Sequence, residues 1–584
     1  MVKILDNMMI KVMMAVLTLS LTFDMCASMS ERSYNAQHIG TAPSTDNYDK
    51  PNKFHPSEVP DFLPDYDFIF DGLYCHIYEN DKNKVEITYR YGDASLNKFY
   101  VAGDLIIPSS VKYEGKEYAV TGIGDYAFSN CVYVTSVTIP SSIRSIGKHA
   151  FFDCGFESIE IPSSVTSIAD NAFTGCDRLQ SIEIPNSVKE IGIGAFASCT
   201  SMISAKLPEK MTTLGEYAFS HTSLRSITLP TGIQSIGVET FNDCQMLKSI
   251  VIPNSVKEIE ESAFEGCHTL ETVKMSENIE RIEDSAFSGC TRLKSIDLGN
   301  KLNYLGEAVF KDCISLENIG DNTVIPGRRI YDDDFREDFQ TIGLRTFRNC
   351  ISLTSVKLRE DVQLIGRGSF QGCTSLRSVN IPSGVTIIND DAFAGCISIP
   401  SIKLPDQIQT IGYGTFYACN TIKSINIPSN VSSISYKAFI CKNLKYVHVE
   451  SKIPPTRTTS GNFFPMFSTS TKQNGILYVP DGCVPQYRKA VEWKDFKNIA
   501  DESSSGIDEI KRSDMSESDI SVNVGSDGIN ISDVPSGSTV SIYSLDGTLF
   551  YSDTIIGDRM TYRPAASGIY IIRIGEYSTK VPFK

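Results

Sequence analysis

The 584-residue chain has one tryptophan and seven histidines, and its 54 lysines and arginines are outnumbered by 70 aspartates and glutamates. Each shortage excludes something. A formal charge of −16 argues against nucleic acid as a main partner, because phosphate binding needs clustered cations, and it disfavours an anionic membrane surface for the same reason. The histidines (His38, His55, His76, His149, His221, His268 and His448) are dispersed. No HExxH, GxSxG or GxxxxGK[ST] segment occurs, so no enzyme is expected. Without a CxxC pair or a histidine column, no metal or cofactor is expected either. No stretch beyond the N-terminus approaches about 18 consecutive apolar residues, which leaves no transmembrane helix. Sixteen cysteines are too sparse for a disulfide scaffold. The remainder, 41% hydrophobic and 21% charged, is enough to bury a core.

Residues 1–28 place Lys3 and Lys11 ahead of an apolar run from Val12 to Phe23 and small residues at Ala27 and Ser28, the layout of a secretory signal peptide. The mature chain is then secreted or held at the outer cell surface. Cys26 would carry the lipid of a lipoprotein, but such sites resemble a small residue directly before the cysteine, and Met25 stands there. Residues 29–61 are polar and proline-containing and read as a flexible leader.

Self-similarity dominates the rest. Phe-x-x-Cys occurs at Phe128/Cys131, Phe151/Cys154, Phe173/Cys176, Phe196/Cys199, Phe241/Cys244, Phe264/Cys267, Phe287/Cys290, Phe310/Cys313, Phe347/Cys350, Phe370/Cys373, Phe393/Cys396 and Phe416/Cys419. Phe219 lacks the cysteine, and Phe439 has Cys441 one position early. Successive phenylalanines are about 23 residues apart, a solenoid period. The one long step runs from Phe310 to Phe347. In one unit, Leu179, Ile182 and Ile184 point one way and Ser181 and Glu183 the other, the alternation of a half-buried strand. Pro185 ends it. Ile191, Ala195, Phe196 and Cys199 then fall at i, i+4, i+5 and i+8, the stripe of one or two helical turns. Such a unit buries its apolar side only against its neighbours.

The pattern IP-x-S-V-x-x-IG-x-x-AF-x-x-C-x-x-L-x-S-I resembles the BspA-like leucine-rich repeats of bacterial surface proteins. The resemblance implies a leucine-rich-repeat solenoid, an α/β horseshoe rich in strand, with fourteen coils over 126–450 at a spacing of about 4.8 Å. That spacing is too wide for relaxed disulfides between equivalent cysteines, so the thirteen array cysteines read as a ladder of buried thiols beside the phenylalanines. The outward strand positions form a nearly uniform serine column and a variable one without aromatic residues, so the strand face lacks a ring platform for sugars or bases. The long step implies about fourteen inserted residues near 321–335. There Arg328, Arg329, Tyr331, Asp332, Asp333, Asp334 and Phe335 combine both charge signs with two aromatics, a candidate partner-binding set.

Residues 62–125, with turn signals at Asp71-Gly72 and Glu114-Gly115, read as a β-rich N-terminal cap, and 451–500, around Trp493, as the C-terminal cap. A Ser- and acid-rich linker follows at 501–518. Residues 519–584 read as a small β-sandwich with an Asp546-Gly547 turn, and SGIYIIRI at 567–574 resembles the sorting domain of type IX secretion substrates. The whole describes an exported surface binding or adhesion protein. The resemblance implies an extracellular protein partner, such as host matrix or another cell surface; a glycan-capture module is the alternative.

Overall fold

The computed structural model describes residues 66–89, 101–320, 323–332, 337–457 and 464–504, and strands within 521–583. The chain divides into two compact units, 1–62 and 63–584, and all described residues lie in the second. The signal peptide, the leader, most of the linker and the Asp546-Gly547 turn fall outside the described residues.

From Phe128 onward the chain winds as a strand-rich parallel solenoid with three ladders. The first ladder carries the x-S-I-x strands in register: Ser181 opposite Ser204 and Ser204 opposite Ser226, Ser249 opposite Thr272 and then Ser295, Ser355 opposite Ser378. The second is built from two-residue strands at the x-I-G positions, Ile236, Ile259, Ile282 and Leu305 in one run and Ile342, Ile365, Ile388, Ile411 and Ile434 in the next. Alternation in both sets isoleucine and leucine inward.

The third ladder corrects the helical expectation. Among the described residues, helix is confined to short pieces within 469–504, and the A-F-x-x-C segments are chains of tight turns. From Phe128 to Phe439, residues two before each repeat phenylalanine have positive φ, as in His149 (53°), Glu239 (49°) and Arg345 (56°), and up to Phe416 so do those two after, as in Asp153 (55°) and Asp243 (53°). This alternation of hand prevents an α-helix from propagating. It also turns alternate peptides along the stack. The N–H groups of Tyr126, Phe128 and Asn130 donate to the carbonyls of Lys148, Ala150 and Phe152 in the next coil at 2.7 to 2.8 Å, while Ser129 and Cys131 N–H bond back within their own coil. On this face each coil therefore offers donors to the following coil and acceptors to the preceding one, which pairs the backbone groups buried there.

The phenylalanines form one offset-stacked column, with centroids 5.2 to 6.0 Å apart and planes within 18°. It does not stop at Phe439. Phe467 adds a ring at 5.3 Å, and Trp493 and Phe496 then close the column at 5.5 and 5.2 Å. Trp493 is fully buried and donates from Nε1 to the Pro455 carbonyl at 2.8 Å. Strands Ile476–Val479 and Asn498–Asp501 extend the first ladder, so the solenoid runs to about sixteen turns rather than fourteen. Structure continues through a short turn at Glu502–Ser504, four residues into the expected linker.

Upstream, strands within 68–88 form an antiparallel meander that joins the second ladder through Lys116–Ile123. Asp71-Gly72 in this meander, and Glu114-Gly115 between Ser110–Tyr113 and Lys116–Ile123, have positive φ at both residues, the type I′ geometry that the hairpin twist favours. The tail is two antiparallel sheets around its own apolar cluster of Ile529, Ile531, Val540, Ile542, Ile572 and Ile574.

Phe264→Ala, in mid-array, should lower stability by about 3–5 kcal/mol in urea unfolding, because the gap is bounded above and below by rings that cannot close it.

Candidate binding surface

The fifteen cysteines among the described residues are all free and buried. Those in the array are more than apolar filler. Cys154 Sγ lies 3.1 Å from the Phe128 carbonyl, Cys176 3.1 Å from Phe151, Cys267 3.1 Å from Phe241 and Cys396 3.1 Å from Phe370. Each thiol thus donates weakly to the preceding coil's phenylalanine carbonyl, which also accepts the N–H three residues on. Where the cysteine is missing, Thr222 is buried in its place, bonding Phe219 O at 2.9 Å and meeting Cys244 Sγ at 3.3 Å. Burial holds the thiols protonated: Cys244 is pushed up to about 11, Cys373 and Cys441 to about 12, and Cys199, Cys267 and Cys290 well above the ordinary thiol value. Without thiolate there is neither nucleophile nor soft-metal ligand, and no metal-holding cluster occurs among the described residues.

Outward on the first ladder, Ser181, Ser204, Ser226, Ser249, Ser378 and Ser424 are exposed in a single column. The structure puts aromatic rings elsewhere, on the turn face of the last coils. Tyr413 and Tyr436 meet edge to face at 4.9 Å, and Lys437 Nζ lies 5.3 Å over Tyr413 and 4.1 Å over the half-exposed Phe464. Sequence reasoning missed this group because Tyr413 and Tyr436 occupy a position that other coils fill with charge.

The long step is a β-hairpin, Arg328–Asp332 paired antiparallel with Glu337–Ile342. The expected bounds of 321–335 therefore shift toward the C-terminus. The hairpin's second strand is a lengthened copy of the ordinary short strand, and its Thr341 and Ile342 continue in register with Leu364 and Ile365. Across it the rings of Phe310 and Phe347 still stack at 5.6 Å, so the insertion leaves the core in step. Arg328 fastens it. Its guanidinium lies 2.9 Å from Glu307 and 3.4 Å from Asp284, two acidic positions on successive coils. Burial pushes the Glu307 carboxyl up and Arg328 pulls it back; next to them Glu261 is raised by burial and by Asp284, Glu265 and Glu283. Of the other candidates, Arg329, Tyr331 and Asp332 lie on the hairpin's first strand, and Asp333, Asp334 and Phe335 fall outside the described residues.

A buried ring column, parallel ladders at constant pitch and one looped-out hairpin define a repeat scaffold, with chemistry confined to its outer faces. The profile described as BspA type leucine rich repeat region matches six copies at 121–246, 212–326 and 340–460, more than half of the chain. The chain belongs to the BspA-type leucine-rich repeat family. A comparison with curated proteins gives no match. Among solved structures, a leucine-rich repeat protein from Bacteroides ovatus ATCC 8483 is 32% identical, over 66% of this chain and 95% of that one, with a TM-score of 0.54. A leucine rich cell surface protein from Faecalibacterium prausnitzii A2-165 is 22% identical over 75% of this chain and 95% of its own, with a TM-score of 0.36. The pneumococcal vaccine antigen PcpA is 16% identical over 74% and 98%, with a TM-score of 0.27. Among the described residues no helix is long and apolar enough to cross a membrane.

In the native protein the array thiols should resist a maleimide reagent at neutral pH and all react after denaturation without reductant. Their raised folded values also fix a sign. Above about pH 9 the unfolded chain releases thiol protons that the folded chain retains, so Tm should fall as pH rises from 9 toward 12 and change little through this route below 9. Arg328→Gln should speed tryptic cleavage at Arg329 or Arg336 while Tm moves by no more than about 3 °C, because a half-exposed ion pair contributes about 1 kcal/mol or less in a chain of this size.

Proposed function

We propose that this is an exported cell-surface binding protein whose repeat array holds a contact surface for an extracellular protein, such as host matrix or a neighbouring cell. The observation that carries this reading is the Arg328-anchored hairpin. It interrupts an otherwise regular array, is tied to the coils by two carboxylates, and carries Arg329, Tyr331 and Asp332 on one strand. Mixed charge with an aromatic is the composition of a protein contact. Proteins of this repeat type are commonly bacterial surface proteins. The segment 1–28 acts as the export signal. The tail acts as the sorting address, its last two strands, Gly568–Ile574 and Tyr577–Phe583, carrying the segment that resembles such domains.

A second reading, glycan capture, draws on the Tyr413, Tyr436, Lys437 and Phe464 group, since clustered aromatic rings beside a polar head suit sugars. Immobilised matrix proteins and a glycan array separate the two. With residues 328–339 replaced by a Gly/Ser linker, protein binding should fall at least about tenfold if the hairpin is the contact; unchanged affinity removes it. Deleting 519–584 in the native host should abolish surface display, and equal display removes the sorting role.

A further inference from the structure

The chain is strongly acidic overall, yet one face is not. Each coil of the first ladder turns three residues outward: the serine position, the residue before it and the residue two after. Coil-to-coil backbone bonds keep the preceding residues in a true column, with Arg225 N–H on Ile203 O at 3.2 Å and Lys248 N–H on Arg225 O at 3.3 Å. The strands keep the third position in register, with Glu183 opposite Lys206 and Val251 opposite Lys274.

From the Ser204 coil onward these two columns share the cations between them, one to a coil. The first run is Lys206, Arg225, Lys248, Lys274 and Lys294, every one exposed. After the coil of Asn318, which has none, a second run follows with Lys357, Arg377, Lys403, Lys423 and Lys445, again all exposed. Against the first run stand Glu271, Asp297 and Glu317, Glu271 being 4.0 Å from Arg292. The outward columns of the second run hold no carboxylate from Thr354 to His448. Acids begin beyond the strands, at Glu360, Asp361, Asp406 and Glu450, of which Glu450 accepts from Asn426 at 2.7 Å and Asp361 pairs with Arg359 at 2.7 Å. Of the ten cations only Lys206 has an ion-pair partner among the described residues, Glu183. The carboxylates of the array gather instead around the second ladder, as at Glu258, Glu261, Glu283, Asp284 and Glu307.

We infer that the first-ladder face from Lys206 to Lys445 is a binding surface for a linear acidic polysaccharide, one with a carboxylate or sulfate group recurring along its sugars. At about 4.8 Å per coil the cations extend over roughly 48 Å, a track for an extended polymer rather than a pocket for one anion. Composition separates the polymer classes. Lysine and serine are depleted in the cores of protein interfaces and aromatic residues are enriched, whereas this face has lysine flanking a column of hydroxyls, which suits charged and hydroxylated sugars. A nucleic acid strand carries a phosphate about every 3.4 Å and calls for rings on which bases can stack, and the cation-bearing strands have none before Tyr446. Lysine heads on flexible stems bind as point charges along the polymer, so the contact is electrostatic and sensitive to salt.

The surface is separate from the hairpin, and either proposal can fail alone. The test is titration of the full chain with chondroitin sulfate, hyaluronan and neutral dextran, with polyglutamate and duplex DNA as competing polymers, at two salt concentrations. Binding of chondroitin sulfate, or of hyaluronan where carboxylate suffices, is expected to weaken with salt. It should fall at least about tenfold in Lys357→Gln/Arg377→Gln/Lys403→Gln and stay near wild type in Lys357→Arg/Lys403→Arg, since each lost contact removes about one released counterion. All of these side chains are exposed, so Tm should not change; if the triple variant does unfold, Lys423→Gln/Lys445→Gln replaces it with the same expected direction. No binding of either polysaccharide, equal binding by the Gln variants, or equal or tighter binding of polyglutamate or DNA overturns the proposal. The hairpin-replaced chain should bind the polysaccharide as wild type does.

Discussion

Everything in the array follows from one constraint: a single coil of the repeat cannot cover its own apolar edge, and backbone hydrogen bonding admits the next coil at only one spacing, about 4.8 Å. Three ladders share that spacing. On the turn face it is met by residues of alternating hand, including bulky ones such as His149, Tyr217 and Arg345, for which left-handed backbone costs roughly 1–2 kcal/mol each. That cost is tolerated because reverting to a helix would strip three hydrogen bonds from each neighbouring pair of coils. The rings and thiols are then fixed in place, each phenylalanine on its neighbour and each thiol under the previous carbonyl.

The same constraint separates the chemistry of the interior from that of the surface. Inside, the thiol position stays paired: where a threonine replaces a thiol at Thr222, its hydroxyl bonds the Phe219 carbonyl of its own coil and meets Cys244 Sγ of the next. Outside, each coil contributes only a few side chains to each face, and the faces differ in sign: carboxylates collect beside the second ladder, where Arg328 spans two of them, and lysines line the first. A chain with an excess of negative charge thus carries an extended positive track.

The repeat, its register and the buried thiols were legible in the sequence because Phe, Cys, Ile and Pro recur at a fixed period. The local conformation was not. Ile191, Ala195, Phe196 and Cys199 have helical spacing, yet the same spacing serves a turn chain whose left-handed positions are not marked by glycine in most coils, as Glu239 and Asp243 illustrate. Phe467 escaped because its step from Phe439 overshoots the period, with neither a cysteine nor an Ile-Gly to announce it. The hairpin was sensed from a lengthened period, but its bounds were misplaced because its second strand ends in an ordinary Thr-Ile-Gly at 341–343. The lysine track was hidden because its members are split between two columns, and neither column alone is consistently basic.

The turn-face hydrogen bonds all point one way, and this gives the array a mechanical direction. The last coil's donors are taken up by the Pro465 and Met466 carbonyls, and the ring column ends on Trp493. A tether pulling from Ser504 therefore loads this plug first: Trp493 with Tyr487, which is held to Ser451 O at 2.7 Å, and Glu492, clamped between Arg457 and Lys472 at 2.6 and 2.8 Å. Only when it yields does tension reach Phe439, and from there the coils would peel singly from the C-terminal end, each releasing one repeat's length of slack. Under load, such a chain would lengthen in steps of one repeat while the coils nearer the N-terminus stay folded.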